Sequence, residues 1–212
     1  MSLHLRPEEI EAESFRIIEA EVGPHPWSPT EWPIVRRVIH TSADFEFTTS
    51  LFISPEAVAR AVAALRGGKG IVTDTTMALS GISKPRLKRF GIRTSCHVAD
   101  PDVATLAQAQ GITRSVAAMR KALDDPANGI FVIGNAPTAL FELLRLVRER
   151  GVRPDLVIGL PVGFVGAAES KEQLIVTAPE FDLPFITNRG RKGGSTIAAA
   201  VVNALLIMAE GT

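Results

Sequence analysis

The chain has 212 residues, and its 23 basic side chains balance 23 acidic ones, so it lacks the net positive field that a general nucleic-acid or membrane-surface binder needs. Hydrophobic residues (46 %) and charged residues (22 %) stand at ordinary globular levels, and the length suits one domain, or at most two small ones, able to bury a core without disulfides. A single cysteine, Cys96, excludes an internal disulfide and a Cys-rich zinc site; with no tyrosine, the groups titrating near neutral pH are four histidines and one thiol.

The amino-terminal stretch MSLHLRPEEIEAES has no apolar core behind a basic start, so no secretory signal is read there. Residues 7–22 read as a first helix, with Pro7 at its first position, Glu8 and Glu9 at its positive end, and Gly23-Pro24 as its stop. Ser28 and Glu31 form a capping-box pair that opens a second helix, running past Trp32, Val35 and Ile39 toward His40. Phe45 and Phe47 alternate with polar neighbours as a short extended piece. Ser54-Pro55 opens a third helix with Val58, Ala61, Val62 and Leu65 on one face, ended by Gly67-Gly68.

From there the period shortens. Gly70–Asp74, Ile130–Gly134 and Leu156–Gly159 read as buried strands, with weaker strands at Ile92–Val98 and Pro184–Thr187. Helical patterns fall at about 101–110, 114–124, 137–150, 164–175 and 194–209. The last includes the longest apolar run, Ala198–Met208, which is too short for a membrane span and reads as a buried helix. No membrane partner and a cytoplasmic location are therefore expected. Short apolar strands alternating with longer helices predict an α/β fold: a single domain with a mostly parallel sheet covered by helices on both faces.

Polar and glycine-rich segments follow the strands: Asp74-Thr75-Thr76, Gly134–Pro137, Gly159–Gly163 and Asn188–Gly194. In open α/β sheets ligands sit beyond the carboxyl ends of the strands, so one site could collect all four. Neither G-x-G-x-x-G after a strand nor G-x-x-x-x-G-K-[ST] occurs, and no G-x-S-x-G elbow is present. The basic, glycine-rich Gly190–Ser195 stretch is either an anion cradle of backbone N–H groups with Arg191 and Lys192, or a turn with solvated charges.

The four histidines are scattered without metal-ligand spacing, so no bound metal is expected. His4 falls in a terminus expected to fray, His25 in a loop between prolines, and His97 in a strand where packing is expected. His40 ends an apolar helical run before Thr41-Ser42-Ala43-Asp44, and is either a helix cap or a general acid. Asp74, at a strand end, could bind magnesium or substrate, and Cys96 reads as an inert buried thiol. Arg114, Arg120 and Lys121 either meet an anionic ligand or solvate one helix face. In Glu169-Ser170-Lys171-Glu172 the two glutamates repel at i, i+3, which favours a ligand or interface role over a stabilising one.

Taken together, Arg37–Phe45 (RVIHTSADF), Gly134–Leu140 (GNAPTAL), Gly159–Val165 (GLPVGFV) with Glu169–Glu172, and Gly190–Ser195 (GRKGGS) resemble the precorrin-8X methylmutase family, which includes the cobalt-precorrin-8 methylmutases. Asp74, Met77 and Gly81-Ile82 also agree, and the order and spacing fit nearly the whole chain; residues 83–128 are the least distinctive. The resemblance implies an isomerase of cobalamin biosynthesis that moves a methyl group from C-11 to C-12 of a corrinoid macrocycle by a 1,5-sigmatropic shift, giving hydrogenobyrinic acid or its cobalt counterpart. It implies no methyl donor, redox cofactor or catalytic metal.

The family's histidine falls on His40, with the role of protonating the macrocycle at or near a ring nitrogen. Thr41 and Asp44 would position it or the ring, with Ser14 on the first helix as a further contact. Asn135, Arg114, Arg191, Lys192, Gly193 and Gly194 would hold the acetate and propionate carboxylates or the ring edge, as charge-assisted donors do. The family likeness also implies a homodimer with the pocket near the subunit interface. Two other readings share the basic loop without a placed acid: a non-catalytic corrinoid carrier, and a generic α/β anion binder.

Overall fold

The computed structural model describes residues 6–211. Among these, eleven α-helices surround one six-stranded sheet. The strands are β1 (Leu51–Ile53), β2 (Gly70–Thr73), β3 (Thr94–Ser95), β4 (Asn128–Ile133), β5 (Leu156–Gly159) and β6 (Phe185–Asn188). The helices are α1 (Pro7–Val22), α2 (Trp32–Ser42), α3 (Phe47–Ser50), α4 (Ala57–Arg66), α5 (Thr76–Gly81), α6 (Lys84–Arg89), α7 (Pro101–Gln110), α8 (Arg114–Ala122), α9 (Pro137–Arg150), α10 (Ala167–Thr177) and α11 (Ser195–Glu210). The sheet order is β1-β6-β5-β4-β2-β3, with every pairing parallel except β1 with β6.

Strand residues alternate between the two faces, and both faces are dry. Ile71, Ile130, Val132, Ile158 and Ile186 pack with α1, α2, α4 and α11 on one side. Val72, Phe131, Ile133, Val157 and Phe185 pack with α8, α9 and α10 on the other. Burial on both faces is why these strands read as apolar runs rather than as alternating patterns. Helix α7 docks on α8 through Val103, Ala107, Ala117 and Ala118.

Most expected elements form within a few residues of their predicted bounds, and the departures have local causes. Phe45–Phe47 is not extended: Phe47 is buried and starts α3, while Phe45 stays exposed. Leu51–Ile53 is a strand that local pattern does not reveal, because three residues carry no period and their pairing with β6 is long-range. The expected strand at Ile92–Val98 shrinks to the two residues of edge strand β3. Helices α5 and α6, one turn or two long, lie where none was expected. The capping-box pair forms, with Ser28 Oγ donating to Glu31 Oε2 at 2.6 Å, but it closes a turn, and α2 begins at Trp32. Helix α10 starts at Ala167 because Gly163 and Gly166 take φ of 151° and 77°, which no helix continues.

Candidate active site

The antiparallel pairing of β1 decides what the carboxyl ends of the sheet face. Leu51 opposes Asn188, so the segment leading into β1 arrives where β6 ends. There the Arg189 N–H donates to the Ser50 carbonyl at 2.8 Å. The HTSAD segment at the end of α2 therefore lies beside the basic loop after β6. The loop after β5 joins them: the Gly194 N–H donates to the Leu160 carbonyl (2.9 Å), and the Gly163 N–H to the Arg191 carbonyl (3.2 Å). At the carboxyl end of β2, Thr75 Oγ1 lies 2.8 Å from Ser195 Oγ at the start of α11. Four post-strand segments and the end of α2 thus converge.

His40 stands half-buried in the last turn of α2. Its ring meets Phe15 of α1 edge to face, 5.2 Å between centroids, and its nitrogens make no hydrogen bond among the described residues. The guanidinium of Arg36 lies over the same phenyl ring at 4.2 Å. Ser14 is half-buried, one residue before Phe15. Thr41, together with Arg37, Met77, Thr196, Ala200 and Asn203, lines a cavity of about 220 Å³ between α2, α5 and α11.

Lys192 reaches across to this segment. Its Nζ lies 2.5 Å from Asp44 Oδ2 and 2.8 Å from Glu46 Oε2. The ammonium holds the Asp44 carboxyl below the usual carboxylate range, and the two carboxylates raise Lys192. Asp44 also donates its N–H to Ser42 Oγ (3.2 Å), which donates to the Val38 carbonyl (2.8 Å), so the strap reaches the last turn of α2. Arg191 is exposed, with its guanidinium 5.6 Å from the Phe164 ring. Gly193 has φ +155°; a Cβ there would press on the Leu160 carbonyl and lie 2.9 Å from that of Pro161. Gly193 and Gly194 thus let two loops touch, and Gly194 spends its N–H on that contact. Of the proposed anion cradle, Lys192 and the Gly194 amide are engaged within the protein, and Arg191 faces outward.

Asp74 answers its question differently from either sequence reading. It is buried, with Oδ1 accepting from the Gly134 N–H (2.9 Å) and Oδ2 from those of Asn135 (2.8 Å) and Ala136 (2.7 Å). Burial pushes its carboxyl upward, and the three donors oppose that. An internal carboxylate therefore occupies the amide nest before α9 and fixes the turn that presents the exposed Asn135. Gly134 is required there, since a Cβ would come within 2.7 Å of Ser195 Cα.

Arg114 lies apart from the others. It opens α8, which is tied to α9 by the Thr113–Thr138 hydroxyl contact (3.1 Å), and it borders a separate hollow with Thr105 and Gln108. Lys121 pairs with Asp100 and Asp102, and Arg120 with Glu142 and Gln110, which makes that face structural. His97 bonds Asp100 (2.9 Å), His25 stacks on Trp32 at 4.0 Å, and Cys96 is half-buried rather than sealed in the core. His4 lies outside the described residues. Among the described residues no three His, Cys, Asp or Glu gather as a metal site. A groove of about 500 Å³ along α4 opens at the opposite strand ends and contains none of the candidates.

The Glu169–Glu172 run is not a free interface. Ser170 and Lys171 are buried, and Glu172 pairs with Arg189 at 2.9 Å. Lys171 was missed as a site residue, although a signal existed: it falls on the stripe Ala167, Leu174, Ala178, at helical spacing on the buried face. Phe15 and Glu46 carried no signal, because only the fold brings them to His40 and Lys192.

Known proteins resemble this chain along nearly its whole length. The model of the family described as precorrin-8X methylmutase matches residues 9–208. The cobalt-precorrin-8 methylmutase of Priestia megaterium is 48 % identical over 98 % of this chain and 91 % of its own length. That of Salmonella typhimurium is 50 % identical over 95 % of each. A solved precorrin-8X methylmutase structure from Thermus thermophilus superposes with a TM-score of 0.87 at 41 % identity, covering 95 % of this chain and 96 % of that one. The chain belongs to the precorrin-8X methylmutase family, the intramolecular methyl transferases of cobalamin biosynthesis.

Proposed function

We propose that this chain moves the C-11 methyl group of precorrin-8X, or of its cobalt counterpart, to C-12, with His40 as the general acid. The observation that carries the assignment is the placing of His40: a half-exposed imidazole, uncommitted in hydrogen bonding, where the carboxyl-end segments meet. Proton donation to a ring nitrogen draws electron density from the macrocycle and favours the migrated product. Thr41 and Asp44 set the approach, with Ser14 beside Phe15. Arg191 and Asn135 at the rim take peripheral carboxylates, Arg114, set apart on α8, would meet only an outlying one, and Lys192, Gly193 and Gly194 shape the wall against which the ring lies.

The assembly we infer is a homodimer. The cavity at Thr41, about 220 Å³, is smaller than the roughly 300–1,000 Å³ typical of enclosed small-molecule sites. Phe164 and Val165, 84 % and 89 % exposed on the loop after β5, offer apolar surface that a second copy would cover while closing the pocket. A cytoplasmic location fits such a protein; among the described residues no helix is long and apolar enough to cross a membrane.

His40→Ala is expected to retain the wild-type unfolding midpoint and to lose conversion of precorrin-8X in a spectrophotometric assay. Full turnover by that variant would sink the acid role. Wild-type protein that binds hydrogenobyrinic acid yet never converts precorrin-8X would instead be a corrinoid carrier, and the absence of any absorbance change on mixing would leave a generic anion binder. Parallel assays with the metal-free and cobalt-containing substrates decide between the two forms.

A further inference from the structure

Lys171 is fully buried in α10, on the stripe that otherwise carries Ala167, Leu174 and Ala178. No carboxylate meets its ammonium among the described residues; the neighbouring Glu172 pairs instead with Arg189. The ammonium donates to two neutral oxygens, Asn188 Oδ1 at 3.1 Å and the Lys192 carbonyl at 2.6 Å. Asn188, also fully buried, sends Nδ2 to the carbonyls of Arg189 and Lys192, both at 2.9 Å. A buried ammonium with no ion pair of its own, drawn only weakly by the Glu172 carboxylate that Arg189 already holds, is expensive, and a stability motive would be better met by Leu or Met on that stripe. What the charge does hold is specific. It grips the main chain of Lys192, whose side chain bridges Asp44 and Glu46 next to the turn that carries His40.

We propose that Lys171 is a positioning residue of the methyl-shift site: by gripping the Lys192 carbonyl it sets the strap from Lys192 to Asp44 and so fixes the His40 turn. The role rests on His40 as the acid. Lys171 touches no substrate and works through Lys192.

The experiment is a kinetic cycle on the full chain, with turnover expressed per folded molecule. Lys171→Met lowers kcat about 10- to 100-fold, the scale of a misplacement near 1 Å, while KM moves less than about threefold. Lys171→Gln, whose amide can donate to the same two oxygens, regains part of that loss. In a Lys192→Met background, Lys171→Met costs less than about twofold more, because the path it acts through is already cut. Wild-type kcat in Lys171→Met, a loss confined to KM, or multiplying effects in the double variant each overturn the proposal. If Lys171→Met does not fold, Lys171→Gln against Lys192→Met reads the same coupling. His40→Ala is assayed alongside: activity there overturns the acid assignment, whereas inactive His40→Ala with fully active Lys171→Met overturns the positioning role alone.

Discussion

Asp74 shows how one side chain can settle a site without touching the reaction. Its two oxygens face three backbone N–H groups, and Oδ2 takes two of them. Asp74→Asn turns an amide NH₂ toward one set of donors, so buried donors oppose each other. We expect a loss of about 2–4 kcal/mol, read by urea unfolding, and weaker product binding as Asn135 shifts. Unchanged stability would show that the carboxylate does not hold the turn. Lys171 makes a second prediction at this scale. Burial draws its ammonium from 10.5 down to about 8. Between those values the unfolded chain binds the proton more fully than the folded one, so stability should rise with pH across that window. Below about pH 8 both states are protonated and the burial cost is constant. The unfolding midpoint of wild type should therefore climb relative to that of Lys171→Met from pH 8 to 10.5; a flat difference would contradict the buried charge.

Among the elements, the loops after β5 and β6 act as a pair. Gly194 donates to Leu160 and Gly163 donates to Arg191, and the two segments come so close at Gly193 that a side chain has no room. Gly193→Ala adds a Cβ against two carbonyls at a φ that suits glycine, and should destabilise by about 1–3 kcal/mol. It should also loosen the strap, so kcat falls along with the melting temperature; a neutral substitution would show that the loops separate in solution. Central strand β4 sets the frame below them. Phe131 is fully buried between β2, β5 and α9, and Phe131→Ala should cost about 3–5 kcal/mol in urea unfolding. The helix α2 illustrates the limit of local signals: Ser28 and Glu31 do find each other, yet the helix waits for Trp32.

At the scale of the whole molecule, the converging segments form an open face rather than a closed pocket. Val162, Phe164 and Val165 of the loop after β5, and Met77 of α5, are exposed on it. If a second copy covers this face, Val165→Asp should shift sedimentation from dimer toward monomer and raise KM, because the pocket loses a wall. A wild-type chain that sediments as a monomer at assay concentration would remove the dimer from the proposal.

Several features follow from the residues alone. The long helical periods at 101–110 and 137–150, and the apolar runs at 130–133 and 156–159, are local patterns, so the α/β class and the two covered faces are legible. The blocks around His40, Asn135 and Gly190–Ser195 carry the family likeness directly in the sequence. Tertiary structure decided the rest, since it depends on contacts between residues far apart in the chain. Pairing Leu51 with Asn188 delivers the HTSAD segment to the carboxyl ends of the sheet. Lys192, read as a ligand for carboxylates, spends its charge on Asp44 and Glu46, 148 and 146 positions away. Asp74, read as a ligand for metal or substrate, fills an amide nest within the protein. Sequence determined which chemical groups are present and which segments form helices and strands. Only folding decided which charges face each other and which are left for a substrate, because that choice is made by distances no local pattern contains.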